Sequence, residues 1–212
     1  MKDIGELTVR GPTRQLSHRT CVAGQSCSID GILGHLISDD DAILILDTCG
    51  VAQANTTNTN RHAVEGFPHG RFAISVLQSG ASANWGVIVN GSAMNATQYQ
   101  FDTLTLTATG GQYRLCWCAA DHFRCSTGND AIIDVGRLEL IGPLRLTSFR
   151  TCVSGQTCRL DGILGYGLSS DDSIIVLDTC GTASVVDGFP SLSSSNLGVN
   201  GSGAVVSWGS TK

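Results

Sequence analysis

Cysteine is the side chain with the most capacity for chemistry in this sequence, because there are nine cysteines in 212 residues. A tetrahedral zinc site needs cysteines in CxxC pairs, and the sequence contains no such spacing. So many cysteines therefore indicate disulfide bonds formed in an oxidising compartment. Buried free thiols are the alternative for some of them.

The repetition of the cysteines predicts how they pair. Two pairs flank a Val-Ala/Ser-Gly-Gln turn that can bring the two sulfurs within bridging distance, and a third pair lies across a short loop. The two cysteines that remain in the complete repeat would then join one core strand to another. The predicted bonds are Cys21–Cys27, Cys49–Cys116, Cys118–Cys125 and Cys152–Cys158, with Cys180 left unpaired.

Histidine-based catalysis is not expected. A nucleophilic site needs a histidine beside a serine or cysteine, and an internal repeat replaces His18 by Phe149 and His35 by Tyr166. These replacements keep an aromatic ring and remove the capacity for proton transfer. The other histidines, His62, His69 and His122, have no histidine counterpart in the repeat. The sequence therefore predicts that the protein is not an enzyme.

Four aspartates are weak candidates for calcium binding. Asp40 and Asp41 return in the repeat as Asp171 and Asp172, and calcium is bound by several carboxylate oxygens gathered together. The same residues before an apolar strand are also typical of a solvated turn whose side chains accept hydrogen bonds from backbone N–H groups. We expect the turn, and no metal or other cofactor.

Charge and glycosylation motifs indicate an extracellular or cell-surface protein. The net charge is -5 and the only lysines are Lys2 and Lys212, so no basic surface is expected for nucleic acid. No apolar run is long enough to span a membrane. Four Asn-X-Ser/Thr sequons predict N-linked glycans. Their asparagines are Asn55, Asn90, Asn95 and Asn200.

The elements that position these residues come from a repeat of 131 residues. Asp3–Gly50 matches Asp134–Gly181 without a gap, with 28 identities in 48 positions. The first copy then carries an Asn/Thr-rich insertion, which is typical of a surface loop. The second copy has no counterpart of Tyr113–Cys125.

The chain is out of phase with its own repeat. Residues 1–12 match the end of a repeat, residues 13–143 form a complete repeat, and residues 144–212 form an incomplete one. Two explanations stay open: the chain is a window onto a longer array, or its first strand completes the second repeat of a neighbouring copy by strand addition. The apolar positions of that assembly strand are Ile4, Leu7 and Val9.

Alternating hydrophobicity predicts strands and no helix. Gln112–Cys118 and Arg137–Leu140 alternate, whereas the apolar runs Ile43–Leu46 and Ile174–Leu177 are typical of strands covered on both faces. The predicted fold is all-β: tandem Greek-key β-sandwich repeats stabilised by disulfides. Gly111–Cys116 resembles the penultimate strand of immunoglobulin-like domains, although Cys116 lies three residues after Tyr113 instead of two, so the resemblance implies the sandwich architecture only.

A second resemblance covers most of the repeat. The motifs YRLCWC (Tyr113–Cys118), DVGRLELIGP (Asp134–Pro143) and CVSGQTCRLDGILG followed by VLDTCG resemble tandem-repeat extracellular proteins of dinoflagellates and related algae. The resemblance implies surface or fibrous material of a protist and no enzymatic activity.

These features predict a structural protein, the subunit of an extracellular glycosylated filament, hair or coat whose copies assemble head to tail. The alternative is a cell-surface adhesion or carbohydrate-binding module on the same sandwich. The partners expected are further copies of the chain and N-linked glycans.

Overall fold

The structure is a computed structural model that describes residues 4–14, 17–51, 64, 66–67, 73, 75–85, 106–120, 124–144, 149–180, 186–189, 193–194, 198–200 and 203–210. Every helix or strand assigned in these residues is a strand, so the fold is all-β. The strands are β1 (Gly11–Pro12), β2 (His18–Val22), β3 (Cys27–Ile29), β4 (Gly34–His35), β5 (Ala42–Leu46), β6 (Ser75–Leu77), β7 (Ser82–Trp85), β8 (Gly111–Cys118), β9 (Ile133–Pro143), β10 (Thr157–Ile163), β11 (Gly165–Tyr166), β12 (Ile174–Ile175), β13 (Ser193–Ser194), β14 (Gly198–Asn200) and β15 (Gly203–Ser210).

The chain divides into two compact units, Met1–Leu140 and Ile141–Lys212. The division falls within β9. The residues of β9 up to Leu140 pair with β8 in the first unit, and Gly142 and Pro143 pair with β11 in the second. The division therefore lies close to the repeat boundary that the sequence predicts after Pro143.

The main sheet of the first unit contains β5, β8 and β9 as antiparallel neighbours, and β2 also pairs with β9. The alternation of β8 predicts that its two faces differ. Tyr113, Leu115 and Trp117 pack in the largest hydrophobic cluster, while Cys116 and Cys118 pack in a separate one on the other face. Period-two alternation thus identified the two faces of this strand correctly.

A second antiparallel sheet of the first unit contains β3, β7 and β6. Its Trp85 is fully buried in the same cluster as Ile43 and Ile45 of β5, so the two sheets share a core. Leu44 and Leu46 point to the other face of β5 and are buried as well. β5 is therefore covered on both faces, as its continuous apolar sequence predicts.

A glycine sets the shape of the strand that closes the first unit. The pairing of β8 with β9 shifts register between Leu115 and Cys116, opposite Gly136, whose φ is +137°. A Cβ at this position would lie 2.9 Å from the Ser17 carbonyl oxygen. Both the backbone conformation and the close approach favour glycine in this β-bulge.

The second unit is smaller. β10, β15 and β14 form an antiparallel sheet, and β12 pairs with β13. Its core contains Cys158, Ile163, Ala204, Val206 and Trp208. The sequence predicts that Ile174–Leu177 is covered on both faces, but the structure has only Ile174–Ile175 as a strand, and Ile175 is 46% exposed.

Candidate assembly site

The first and second repeats begin with the same short antiparallel pairing, which we call the joint. Gly11 and Pro12 pair with His35 and Gly34, and the residues 131 positions later pair in the same register. The backbone hydrogen bond from Thr13 N to Leu33 O is 2.8 Å long, as is its counterpart in the second repeat. Residues 11–12 thus occupy the place that the end of a preceding repeat occupies in the second copy.

Close backbone contact explains a glycine in this joint. A Cβ on Gly34 would lie 2.7 Å from the Gly11 carbonyl oxygen, and a Cβ on Gly165 would lie 2.6 Å from the Gly142 carbonyl oxygen. Any larger side chain would force the paired backbones apart. The sequence keeps glycine at this position in both copies for this reason.

The residues before the joint differ sharply between the copies. Three apolar side chains of the assembly strand are 101%, 86% and 72% exposed; they are Ile4, Leu7 and Val9. Their counterparts in β9 are all 0% exposed because they pack in the largest hydrophobic cluster; they are Val135, Leu138 and Leu140. Residues 4–10 are not assigned to a strand, although the sequence predicts a strand-forming segment there.

The exposed segment also shares a special backbone conformation with β9. Gly5 has a φ of +117°, close to the +137° of Gly136 at the bulge of the first unit. Nothing lies within 4 Å of a Cβ built on Gly5, so there is room for a side chain at this position. The segment therefore carries the side-chain pattern of a closing strand and a glycine whose φ is similar to that of Gly136.

The joint is held by an ion pair that sequence reasoning missed. Asp41 is buried, and its Oδ1 accepts a hydrogen bond of 2.7 Å from Arg10 Nη2, which also donates to Ser38 Oγ. The second copy has Ile141 at the position of Arg10. The only sequence signal for this pair is that a charged residue ends an otherwise apolar alternation.

The four calcium candidates lie in turns. The Asp41 Oδ2 atom accepts a hydrogen bond of 2.9 Å from Ser38 N, and Asp172 Oδ2 accepts one of the same length from Ser169 N. Asp40 and Asp171 donate their backbone N–H groups to Ser38 Oγ and Ser169 Oγ. Among the residues that the structure describes, no group of three or more His, Cys, Asp or Glu is placed to hold a metal ion.

Four disulfides join the pairs that the cysteine spacing predicts: Cys21–Cys27, Cys49–Cys116, Cys118–Cys125 and Cys152–Cys158. Cys180 is an exposed free thiol. It is the counterpart of Cys49, so the same position is bonded in one repeat and unbonded in the other.

Three of the predicted glycosylation sites, Asn55, Asn90 and Asn95, lie outside the described residues. Asn200 is the last residue of β14 and pairs with Gly203 where β14 meets β15. His18 Nδ1 accepts a hydrogen bond from Arg137 Nε at 2.8 Å, and His62, His69 and His122 are outside the described residues.

All three tryptophans of the chain, Trp85, Trp117 and Trp208, are buried. None of them therefore offers an exposed aromatic platform for a sugar ring.

Comparison with known proteins found no family model, no curated protein and no solved structure that matches the chain. In the part of the chain that the structure describes, there is no helix long and apolar enough to cross a membrane.

Proposed function

We propose that the chain is a structural subunit of an extracellular glycosylated filament, hair or coat, built by head-to-tail addition of repeats. The observation that carries this proposal is the contrast between the exposed side chains Ile4, Leu7 and Val9 and their buried counterparts in β9. The same repeated sequence is a buried strand in one place and an exposed segment in the other.

The physical argument is the cost of that exposure. Burying an aliphatic side chain fully contributes about 1.5 to 3 kcal/mol, so three of them contribute about 5 to 9 kcal/mol before the entropy of ordering the segment is subtracted. A strand that can also form a full set of backbone hydrogen bonds with a neighbour gains further from pairing. The segment is therefore suited to strand addition.

Head-to-tail geometry follows from where the two surfaces lie in the sequence. A segment that matches the end of a repeat, residues 3–12, comes before the first repeat, and residues 144–212 of the second repeat come after it. A contact between different surfaces of identical units is heterologous, and when its rotation does not close a ring it extends as a fibre.

Other observations support an extracellular setting. Four disulfides are compatible with a secreted protein. Charged residues make up only 15% of the chain, and glycans on the four sequons would supply surface hydration that charged side chains provide elsewhere. The resemblance to tandem-repeat extracellular proteins of algae also supports an extracellular setting.

The finer fold assignment, an immunoglobulin-like Greek-key sandwich, is part of the same proposal. Its support is local: the Tyr113 hydroxyl donates a hydrogen bond of 2.6 Å to the Thr109 carbonyl oxygen. In immunoglobulin-like domains a tyrosine at the start of the penultimate strand bonds to the backbone a few residues upstream in this way. The Cys49–Cys116 disulfide joins that strand to the segment that directly follows β5.

Sedimentation velocity over a range of protein concentrations tests the proposal. The oxidised, glycosylated chain should associate into an open-ended series, and a variant carrying Ile4→Asp, Leu7→Asp and Val9→Asp should stay monomeric. Val153→Asp is the matched control, because Val153 is also exposed but lies in the Cys152–Cys158 turn.

A wild-type chain that stays monomeric at every concentration, or a triple variant that associates like the wild type, would contradict head-to-tail assembly. A monomer that binds a glycan array would favour the adhesion alternative.

A further inference from the structure

In the first repeat, β8 pairs with β5 and bonds to Cys49, whereas the corresponding strand β12 and the thiol of Cys180 in the second repeat have no such partner among the described residues. In the first unit, β5 pairs with β8 in a register that places Leu44 opposite Cys116. Three residues beyond the end of β5, Cys49 is bonded to that same Cys116. The edge, the opposing strand and the disulfide thus form one connected arrangement.

The second repeat contains the counterpart of β5 and of the cysteine that follows it. Ile43–Gly50 reads ILILDTCG and Ile174–Gly181 reads IIVLDTCG. β12 pairs with β13 and with no other strand in the described part of the chain. In the first unit, the Ile43 carbonyl oxygen accepts a hydrogen bond of 2.9 Å from Ala73 N, and Ile174 in the second unit pairs with Ser194 in the corresponding stretch. The side of β5 that holds β8 therefore corresponds to the side of β12 that pairs with no strand among the described residues.

The burial of β12 and the bonding of Cys180 both differ from those of β5 and Cys49 in the way expected when no β8-type strand is paired. Ile43, Leu44 and Ile45 are completely buried, whereas Ile175, the counterpart of Leu44, is 46% exposed. Cys180 is an exposed free thiol, whereas its counterpart Cys49 is bonded. Two independent features, one of packing and one of covalent chemistry, point to the same absent strand.

We propose that the β12 edge and Cys180 form a docking site for a β8-type strand, which enters antiparallel and forms a disulfide with Cys180. The incoming strand has the pattern of Gly111–Cys118, with apolar residues at the positions of Tyr113, Leu115 and Trp117 and a cysteine at the position of Cys116. Ile175 lies opposite that cysteine in the docked register. This inference rests on the proposed array of repeats and names the strand that must bind before any closing strand can be added.

A cysteine at that position is what makes the occupant specific. An unrelated edge strand would satisfy the backbone of β12 but would bring no sulfur to Cys180. The β8 of a second folded copy is also excluded as the source, because its Cys116 is already bonded to Cys49 and its backbone is paired on both sides. The strand is therefore one that is not already paired and bonded in a folded repeat.

Thiol–disulfide exchange provides a balanced route to the bond. The Cys180 thiol loses its proton to solvent, and the thiolate attacks the cysteine sulfur of a strand held as a mixed disulfide with glutathione. The new sulfur–sulfur bond forms as the old one breaks, and glutathione leaves as a thiolate that takes up a proton. No oxidant other than the mixed disulfide is required.

A peptide experiment on the full 212-residue chain tests the site. The probe is a synthetic peptide with the sequence of residues 110–119, carrying Cys118→Ser and bearing glutathione on Cys116. The matched control peptide carries Leu115→Ser and Trp117→Ser as well, so that it keeps the same activated cysteine and loses two residues of its apolar face. Glutathione release gives the rate, and peptide mapping by mass spectrometry gives the site.

Docking on β12 raises the effective concentration of the peptide sulfur near Cys180. We expect the native-sequence peptide to react at least about tenfold faster than the control peptide, with the adduct on Cys180 and no adduct in the Cys180→Ser chain. Equal rates for the two peptides, or an adduct that maps to the other cysteines, would overturn the proposal.

This outcome is separable from that of the assembly experiment, because the peptide needs no association between chains. If the peptide docks but the chain does not assemble through Ile4, Leu7 and Val9, the head-to-tail proposal fails and the docking site stands. If the chain assembles but the peptides react equally, the docking site fails alone.

Discussion

The strands β5 and β12 come from the same repeated sequence and lie in different environments. β5 is five residues long, buried on both faces and paired with β8, and the cysteine that follows it is bonded. β12 is two residues long and partly exposed, and the cysteine that follows it is free. Since the two sequences are so similar, local propensity alone does not decide how much of this segment forms a strand and is buried.

The N-terminal segment and β9 form a second pair of similar sequences in different environments. Val135, Leu138 and Leu140 are buried in the largest hydrophobic cluster and lie on a strand paired with β8, and the matching residues of the N-terminal segment are exposed. We propose one explanation for both contrasts, the presence or absence of a paired β8-type strand. Matched substitutions in the two repeats should therefore differ in their effects on stability.

The largest effect is expected from the disulfide that joins β8 to the end of β5. Replacing Cys49 and Cys116 by serine opens a loop whose ends are 67 residues apart and should lower the free energy of unfolding by about 4 kcal/mol under the chain-entropy model. Cys180→Ser, at the equivalent position, should change it by less than about 0.5 kcal/mol. Urea unfolding followed by tryptophan fluorescence measures both, and equal losses would break the comparison.

A smaller effect is expected from matched isoleucines on the two strands. Ile43→Ala removes a fully buried side chain and should cost about 3 to 4 kcal/mol, because the cavity adds to the lost transfer free energy. Ile174→Ala should cost about 1 kcal/mol, because Ile174 is only partly buried. Chemical denaturation of the two variants checks the difference, and a larger loss for Ile174→Ala would show that the second unit is packed as tightly as the first.

The joint offers a third test, because Arg10 and Ile141 occupy the same position in the repeat. Arg10→Ile leaves the buried carboxylate of Asp41 without its charged donor and should cost about 2 kcal/mol. Arg14→Ile is the control, since Arg14 is exposed, and should be nearly neutral. Thermal unfolding ranks the two, and an equal effect would mean that the ion pair contributes nothing at the joint.

The smallest effect concerns a turn that only the first repeat contains. Hydrogen bonds from Thr127, its backbone N–H first, lower the pKa of Asp130. A carboxyl group whose pKa is lower in the folded state stabilises the fold above its unfolded pKa of about 3.9, and this contribution disappears as pH falls through the folded pKa. Asp130→Asn should therefore be slightly less stable than wild type at pH 7, and the difference should vanish at low pH.

Unfolding midpoints measured at several pH values test this prediction, with Asn129→Ala, a change in the same turn that carries no titrating group, as the control. A difference between wild type and Asp130→Asn that persists at low pH would contradict it.

Spacing and repetition were sufficient to predict several features. The turn shared by Cys21–Cys27 and Cys152–Cys158 identifies these bonds because short-range geometry restricts which sulfurs can meet. The alternation in β8 identified the core face that carries Tyr113, because successive side chains of a strand point in opposite directions. Local rules of this kind do not depend on the rest of the fold.

Features that depend on distant partners could not be predicted. The ion pair between Arg10 and Asp41 joins residues separated by 31 positions, and no local spacing rule connects them. The apolar run at Ile174 predicts burial on both faces, but hydrophobicity does not say whether a covering strand is present. The exposure of Ile4 escapes prediction for the same reason.

The central claim is that residues 4–9 are the closing strand of a repeat and become buried once that repeat is present. An extended chain tests it most directly, with residues 13–133 fused in front of Asp3 so that the repeat continues without interruption. Hydrogen–deuterium exchange then compares the amides of residues 4–9 with those of residues 135–140. We predict that residues 4–9 exchange rapidly in the 212-residue chain and become as protected as residues 135–140 in the extended chain, whereas exchange that stays rapid in both chains would contradict the claim.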